Sequence, residues 1–136
     1  RRAINAIKLL SPKEARIFTL FCNCLWEIHP NDTRSEKILL KHFDTLGGFS
    51  EDLLNTLKDL GLVHDGVVLL EKGELYDIHF FDKKHQLFSK EQSFELKIIR
   101  LSIIGSEIYN VVLAEKNEEY YQFILQYLNK NLLLKE

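Results

Sequence analysis

The sequence predicts an α+β domain in which three N-terminal helices precede a small antiparallel sheet, and further helices follow the sheet. Two helix-capping signals and one change of hydrophobic period carry this prediction. Apolar residues recur at helical spacing as far as Leu60 and then follow a period near two between Val67 and Leu101. Because the helical and the alternating patterns occupy separate runs of the chain, an α+β arrangement is favoured over an alternating α/β one.

The first helix of the predicted domain begins at the sequence SPKE, residues 11–14. Ser11 is placed to accept a hydrogen bond at the N-cap, Pro12 needs no donor in the first turn, and Glu14 completes a capping box. A wide apolar stripe from Ile17 to Ile28 predicts that this helix continues to about Ile28. The following Pro-Asn-Asp at residues 30–32 predicts a turn.

The chain contains no methionine, which indicates that its 136 residues are a C-terminal piece of a longer protein. Residues 1–10 have the apolar spacing of a helix end, so we expect them to be the end of a helix that enters from the missing N-terminal part. We expect residues 11–136 to form one domain, since this length is enough for a core of its own.

Two further helices are predicted before the sheet. The first covers Thr33 to Leu46, with Gly-Gly at residues 47–48 as its end. The second begins after Ser50, whose hydroxyl is suited to the N-cap, and ends before Gly61, which is suited to the C′ position.

The remaining chain divides into strands, one polar connection and two helices. Strands are predicted at residues 67–70, 75–81 and 94–101, with Phe94, Leu96 and Ile98 on one face. Residues 82–92 are polar and are predicted to be a mobile connection. A short helix is expected at 105–113 and an amphipathic helix at 117–129, after which residues 132–134 form an edge strand or pack on the missing part.

Several motifs resemble those of winged-helix domains. The sequence LKDLGLV at residues 57–63 is similar to the end of a winged-helix third helix, and LSIIGSEI at 101–108 resembles the junction after the wing. With LSPKEA at residues 10–15, the whole pattern is similar to an uncharacterised bacterial family, domain of unknown function 2806. The resemblance implies a winged-helix-like domain of bacterial origin, and it brings no known catalytic residues.

Composition excludes several classes of protein. The chain has 18 lysines and arginines against 20 aspartates and glutamates, a net charge of −2, which argues against a general nucleic-acid binder. No apolar run approaches the roughly 20 residues that span a bilayer. Cys22 and Cys24 are predicted to be packing residues on one helix, pointing too far apart to bridge, and reduced thiols favour a cytoplasmic protein.

No catalytic, cofactor-binding or metal-binding residues are assigned, and no cofactor is expected. None of the five histidines forms the i, i+4 pair of a helical zinc site, and a nucleophile motif is absent. Asp77 and His79 share a strand face, but Asp82 falls on the opposite face, so cross-strand packing is favoured over a metal site. We therefore expect a non-enzyme, unless an activity belongs to the missing part of the chain.

Two functions remain open. The first is a module for protein contacts, made with the missing N-terminal region or with an oligomeric copy, whose candidate residues are Phe80, Phe81, Phe88, Tyr120 and Tyr121. The alternative is a DNA-binding winged helix, of the kind found in transcription regulators, that uses its wing and its second helix; the acidic third helix disfavours it because phosphates need lysine and arginine. Its candidate residues are Lys37, Lys41, His42, Asn55, Thr56, Lys58, Lys83, Lys84 and His85.

Overall fold

A computed structural model describes residues 10–29, 35–41, 50–90, 92–131 and 133–135, and these form an α+β domain. The helices of the described part are α1 (Pro12–Cys22), α2 (Glu51–Asp59), α3 (Ile103–Tyr109) and α4 (Glu118–Asn131). The strands are β1 (Trp26–His29), β2 (Glu36–Leu40), β3 (Val63–Leu70), β4 (Leu75–Phe80), β5 (Lys83–Phe88), β6 (Phe94–Leu101) and β7 (Leu133–Lys135).

All seven strands belong to one antiparallel sheet, in the order β3-β6-β2-β1-β4-β5-β7. The short strand β1 is in the centre, hydrogen-bonded to β2 on one side and to β4 on the other. The longest ladder joins β3 to β6 over eight residue pairs, from Val63–Leu101 to Leu70–Phe94. Among the described residues, strands β3 and β7 form the two edges of the sheet.

One face of the sheet carries the main core. Successive side chains of a strand point to opposite faces, and the buried Trp26 and Ile28 of β1 lie opposite the buried Ile38 and Ile78 of the neighbouring strands. Helix α4 covers this face, since the ring of Tyr121 stacks 5.0 Å from that of Phe80, centroid to centroid. This packing removes the central strands from solvent on one side.

The predicted helix starts are confirmed. Ser11 accepts a hydrogen bond from the backbone N–H of Glu14 at 3.1 Å, and the Glu14 carboxylate accepts one from the Ser11 N–H at 2.9 Å. Ser50 accepts from the Leu53 N–H at the start of α2. Gly61 follows the end of α2 with a φ of +74°, a conformation that favours glycine.

The predicted end of the first helix is wrong, because α1 stops at Cys22 and residues 26–29 are a strand. The burial of β1 alternates between buried and half-buried side chains. Cys24 and Leu25, in the connection, are buried as well. In the sequence, the apolar residues of the helix, the connection and the strand therefore have, taken together, the spacing of one long helical stripe.

The predicted helix over residues 33–46 is also wrong for the part that the structure describes, since Glu36–Leu40 is strand β2. Ile38, Leu39 and Leu40 are consecutive and all buried, because both faces of the sheet are covered here. Such a run lacks the alternation that identifies a strand in a sequence. Residues 1–9, 30–34 and 42–49 lie outside the described residues, and so do the predictions that fall on them.

The polar segment 82–92 is not a mobile connection, because Lys83–Phe88 is strand β5 between β4 and β7. Its inward side chains, His85 and Leu87, are buried, whereas Lys83 and Lys84 are exposed and dominate the composition of the segment. With a strand in place of the expected wing tip and another in place of the second helix, the winged-helix arrangement is not confirmed. Of the two alternatives for residues 132–134, the structure has the edge strand, β7. The strand predicted at 94–101 has the predicted bounds, and the other predicted strands and helices of this part of the chain are present with shifted bounds.

Two interactions fix the start of helix α3 to the connection between α2 and β3. Ser102 accepts a hydrogen bond from the Gly105 N–H at 3.0 Å and donates one to the Gly61 carbonyl at 2.7 Å. Gly105 packs so closely on the backbone that a Cβ atom there would overlap the carbonyl oxygen of Leu62. The glycine is therefore required by close approach rather than by its backbone angles.

Candidate functional site

The sheet face opposite the main core is only partly covered. Leu39 and Ile99 face this side and are buried. Asp65 is paired with Ile99 across the β3–β6 ladder and so shares its face. The Asp65 carboxylate forms an ion pair with the Lys58 ammonium of α2 at 2.9 Å, so α2 lies on this face of the sheet. Beyond α2 the central strands expose polar side chains instead. These residues, Glu27, His29, Lys37 and His79, are the candidate site and are called the central polar cluster below.

The Glu27 carboxylate is the centre of this cluster. Its Oε1 atom lies 3.1 Å from His29 Nε2 and 3.8 Å from His79 Nδ1. Its Oε2 atom accepts a hydrogen bond from Lys37 Nζ at 3.1 Å. The two imidazole rings are 4.9 Å apart, centroid to centroid. One carboxylate thus joins two histidines and one lysine.

The sheet register brings these side chains together. Glu27 is directly opposite Lys37 on β2 and directly opposite His79 on β4. His29 is two residues further along β1, so it shares the face of Glu27. Because β1, β2 and β4 are each hydrogen-bonded on both sides, the cluster stands on paired strands inside the sheet rather than on a loop.

The charges of the cluster favour an ionised Glu27. Partial burial alone would raise the pKa of Glu27, but the hydrogen bond and positive charge of Lys37, together with His29, lower it further than burial raises it. The pKa of Glu27 is therefore below its usual value. At neutral pH the cluster offers a carboxylate, and the two imidazoles supply ring nitrogens as ligands or hydrogen-bond partners.

A small pocket of about 90 Å³ opens beside the cluster. Its walls combine polar and apolar side chains, with Lys37 Nζ 5.5 Å from the centre of the Tyr109 ring. The lining residues are Leu25, Glu27, Lys37, His79, Phe81 and Tyr109. A larger depression of about 350 Å³ adjoins it at Lys37 and Tyr109 and extends toward Ser106 and Asn110 of the α3 region.

Asp77, His79 and Asp82 are near one another in the sequence and were considered as a metal site. The structure does not bring these three together. Asp77 accepts a hydrogen bond from Gln86 at 3.2 Å, and Asp82 pairs with Lys116 at 3.6 Å. Only His79 belongs to the central polar cluster. Sequence analysis did not group Glu27 with His29 because the predicted helix ran to about Ile28, and residues two apart on a helix point in different directions. Had WEIH, residues 26–29, been assigned to a strand, Glu27 and His29 would have been expected on the same face.

The residues named for DNA contact do not form one basic surface. Lys37, Lys41 and Lys58 each pair with an acidic group, at distances of 2.9–3.1 Å. Lys83 and Lys84 are exposed on β5, and His85 is buried with its Nε2 atom 2.7 Å from the Tyr121 hydroxyl. On α2, Asn55 is exposed and Thr56 donates to the Asp52 carbonyl. His42 lies outside the described residues.

The residues named for protein contact are mostly in the core. Phe80, Tyr120 and Tyr121 are buried, and Phe88 is half-buried. Phe81 is exposed, in the turn between β4 and β5. Tyr120 donates from its hydroxyl to the Leu40 carbonyl at 2.6 Å, and burial raises its pKa well above the usual value.

Another apolar surface was missed by sequence analysis. On the edge strand β3, the side chains of Val67 and Leu69 are 47% and 50% exposed. These residues were predicted as part of a short strand at 67–70, but nothing in the sequence marks which strand lies at an edge.

The comparisons with known proteins agree with the resemblance drawn from the motifs. A family model described as "Protein of unknown function (DUF2806)" matches residues 1–125. The chain belongs to this family. The search of curated proteins and the search of solved structures gave no match to this DUF2806 chain. Among its described residues, no helix is both long and apolar enough to cross a membrane.

Proposed function

We propose that this DUF2806 chain is a non-enzymatic module that makes protein contacts, and that a second copy of the chain binds at strand β3. The observation that supports this proposal is the exposed edge of the sheet. Within the described part of the chain, β3 pairs with β6 alone, so its other side offers backbone N–H and C=O groups to a partner. The Val67 carbonyl of this strand also accepts a long hydrogen bond of 3.4 Å from the Arg100 guanidinium, which a partner strand would have to displace or accommodate.

Strand β3 has few of the features that protect an edge. Its eight residues span about 27 Å, which is long for an edge strand. It contains no lysine and no proline, the residues that most often prevent pairing with another chain. The exposed Val67 and Leu69 add an apolar contribution to the backbone hydrogen bonds that a new strand would form.

A second copy is the simplest partner for such an edge. Two β3 strands pair antiparallel about a two-fold axis, which is the commonest symmetry of soluble homo-oligomers. Pairing in this way places Val67 and Leu69 of each copy beside the same residues of the other. It would extend the sheet from seven strands to fourteen. Protein contact of this kind does not require a winged-helix arrangement.

The charge distribution supports protein contact over the DNA-binding alternative. The three lysines nearest to α2 and the central strands are neutralised by Glu27, Glu51 and Asp65. Binding to the DNA backbone needs unpaired cations that release counterions, and the exposed Lys83 and Lys84 are the remaining basic pair among the candidates.

Light scattering after size-exclusion chromatography, over a series of protein concentrations, tests the proposal. We expect the chain to form a dimer that Leu69→Lys dissociates, because a charge is placed in the edge contact. Leu113→Lys is the matched control, since Leu113 is 92% exposed and lies outside the strands. It should leave the dimer intact.

A chain that is monomeric throughout the series, or a Leu69→Lys variant as dimeric as the wild type, would overturn the proposal. Titration with duplex DNA separates the alternative. A salt-sensitive complex that is lost in a Lys83→Glu, Lys84→Glu double variant would favour DNA binding instead.

A further inference from the structure

We propose that Glu27, His29 and His79 bind a divalent transition-metal ion of the zinc class. This site is distant in the sheet from the β3 edge, with β6 and β2 between them, and it does not depend on the protein contact proposed above. Two imidazoles and one carboxylate are a ligand set that suits zinc and related divalent ions.

The separations between ligand atoms fit one ion. With bonds of about 2.0–2.2 Å to nitrogen and oxygen, tetrahedral coordination places two ligand atoms about 3.4 Å apart. The Glu27 oxygen is 3.1 Å from the His29 nitrogen and 3.8 Å from the His79 nitrogen. One ligand atom from each of the three residues lies within 4.8 Å of the others. Small side-chain rotations bring all three to bonding distance.

The backbone already holds the three ligands in position. Glu27 and His79 are directly paired across the β1–β4 ladder, and His29 lies two residues away on the same strand. A site on paired strands loses less conformational freedom on binding than a site on a loop. The ligand side chains are partly exposed, which gives an ion access from solvent.

Lys37 belongs to the surroundings of the proposed ion rather than to its ligands. Its ammonium contacts Oε2 of Glu27, whereas the histidines contact Oε1. The carboxylate therefore stands between the ammonium and the proposed ion, which reduces their repulsion. The same hydrogen bond fixes the orientation of the carboxylate, as outer-sphere partners commonly do for metal ligands.

Three protein ligands leave a fourth position of a tetrahedral ion unfilled. The pocket of about 90 Å³ adjoins Glu27 and His79 and is large enough for a water molecule or a small anion at that position. Leu25, Phe81 and Tyr109 close its sides. This arrangement differs from a structural zinc site, in which four protein ligands enclose the ion.

Isothermal titration of the full chain with Zn²⁺, in the presence of a competing chelator, tests the proposal. We expect one equivalent to bind, and we expect His29→Gln and His79→Gln each to weaken binding at least about tenfold, since even outer-sphere changes cost 10–100-fold. The matched control is His64→Gln, because His64 is exposed on β3 and lies outside the cluster. This control should retain the wild-type affinity.

Two further measurements keep the test independent of folding. The metal-free variants should keep the circular dichroism spectrum of the wild type, and Co²⁺ should give the visible absorption of a four-coordinate ion with the wild type alone. Absence of saturable binding by the wild type would overturn the proposal. Binding that His64→Gln weakens as much as His79→Gln does would overturn it too, because the ions would then be held by surface histidines in general.

Discussion

Replacement of Gly105 by alanine tests how tightly helix α3 packs on the connection that precedes β3. A Cβ atom at this position would overlap the carbonyl oxygen of Leu62 and lie 3.1 Å from its carbonyl carbon. Both atoms belong to the backbone and cannot rotate away. The segment at Leu62 or the whole of α3 must therefore move.

The cost has three contributions. Overpacking of this kind costs about 1–3 kcal/mol. Displacement of Leu62 also weakens the 2.8 Å hydrogen bond that its carbonyl accepts from Ser102, worth about 1 kcal/mol. Alanine recovers roughly 1 kcal/mol because it is a better helix former than glycine. We expect Gly105→Ala to lower the free energy of unfolding by about 2 kcal/mol.

Urea unfolding monitored by circular dichroism measures this change, and for a domain of this length Tm should fall by roughly 8 °C. Gly66→Ala is the control. A Cβ atom there meets the guanidinium of Arg100, the far end of a side chain, so the contact is relieved at the expense of the partly exposed pairing of Arg100 with Glu36 and without a shift of the main chain. The reasoning fails if Gly105→Ala changes stability by less than about 0.5 kcal/mol, or by no more than Gly66→Ala does.

Three other predictions follow from burial and hydrogen bonding. Burial raises the pKa values of Cys22 and Cys24 to about 12. Both thiols should therefore resist alkylation near neutral pH in the folded chain and react rapidly in denaturant. Fast labelling of the native state would contradict this prediction. The hydrogen bond from Lys58 lowers the pKa of Asp65, so this carboxylate stabilises the fold above its unfolded pKa and loses that contribution as the pH falls through its folded pKa. Asp65→Asn should therefore show a smaller loss of Tm on acidification than the wild type, and an equal loss would contradict the pairing. Tyr120→Phe removes a buried hydrogen bond to the backbone of β2 and should lower the free energy of unfolding by about 1 kcal/mol. Urea titration measures this change, and an unchanged midpoint would show that the bond contributes nothing to stability.

Local signals in the sequence predicted local structure well. Ser11 and Ser50 cap the helices they were expected to cap, and Gly61 ends the helix it was expected to end. These predictions depend on side chains that act within three or four residues of themselves, so no knowledge of the rest of the fold is needed. The α+β class follows from similarly direct patterns, whereas the sequence left residues 132–134 open between an edge strand and packing on the missing part.

The central strands could not be predicted because their pattern depends on distant parts of the chain. Leu39 is buried on the face opposite that of Ile38 and Leu40, where a helix from later in the sequence provides the cover. An unbroken apolar run results, and it fits a helix as well as a strand. The central polar cluster was lost with this assignment, since Glu27 and His79 meet only through pairing of β1 with β4.

The alternation of β1 also gives the protein a native optical probe. Trp26 is the chain's one tryptophan and is fully buried in the core, while its neighbour Glu27 points to the opposite face. A ligand bound to Glu27 would contact the residue next to Trp26, whose indole lies 5.1 Å from the Phe80 ring and 5.6 Å from the Tyr121 ring, centroid to centroid. Emission from Trp26 can therefore follow events on the exposed face of the sheet from inside the core, with no added label.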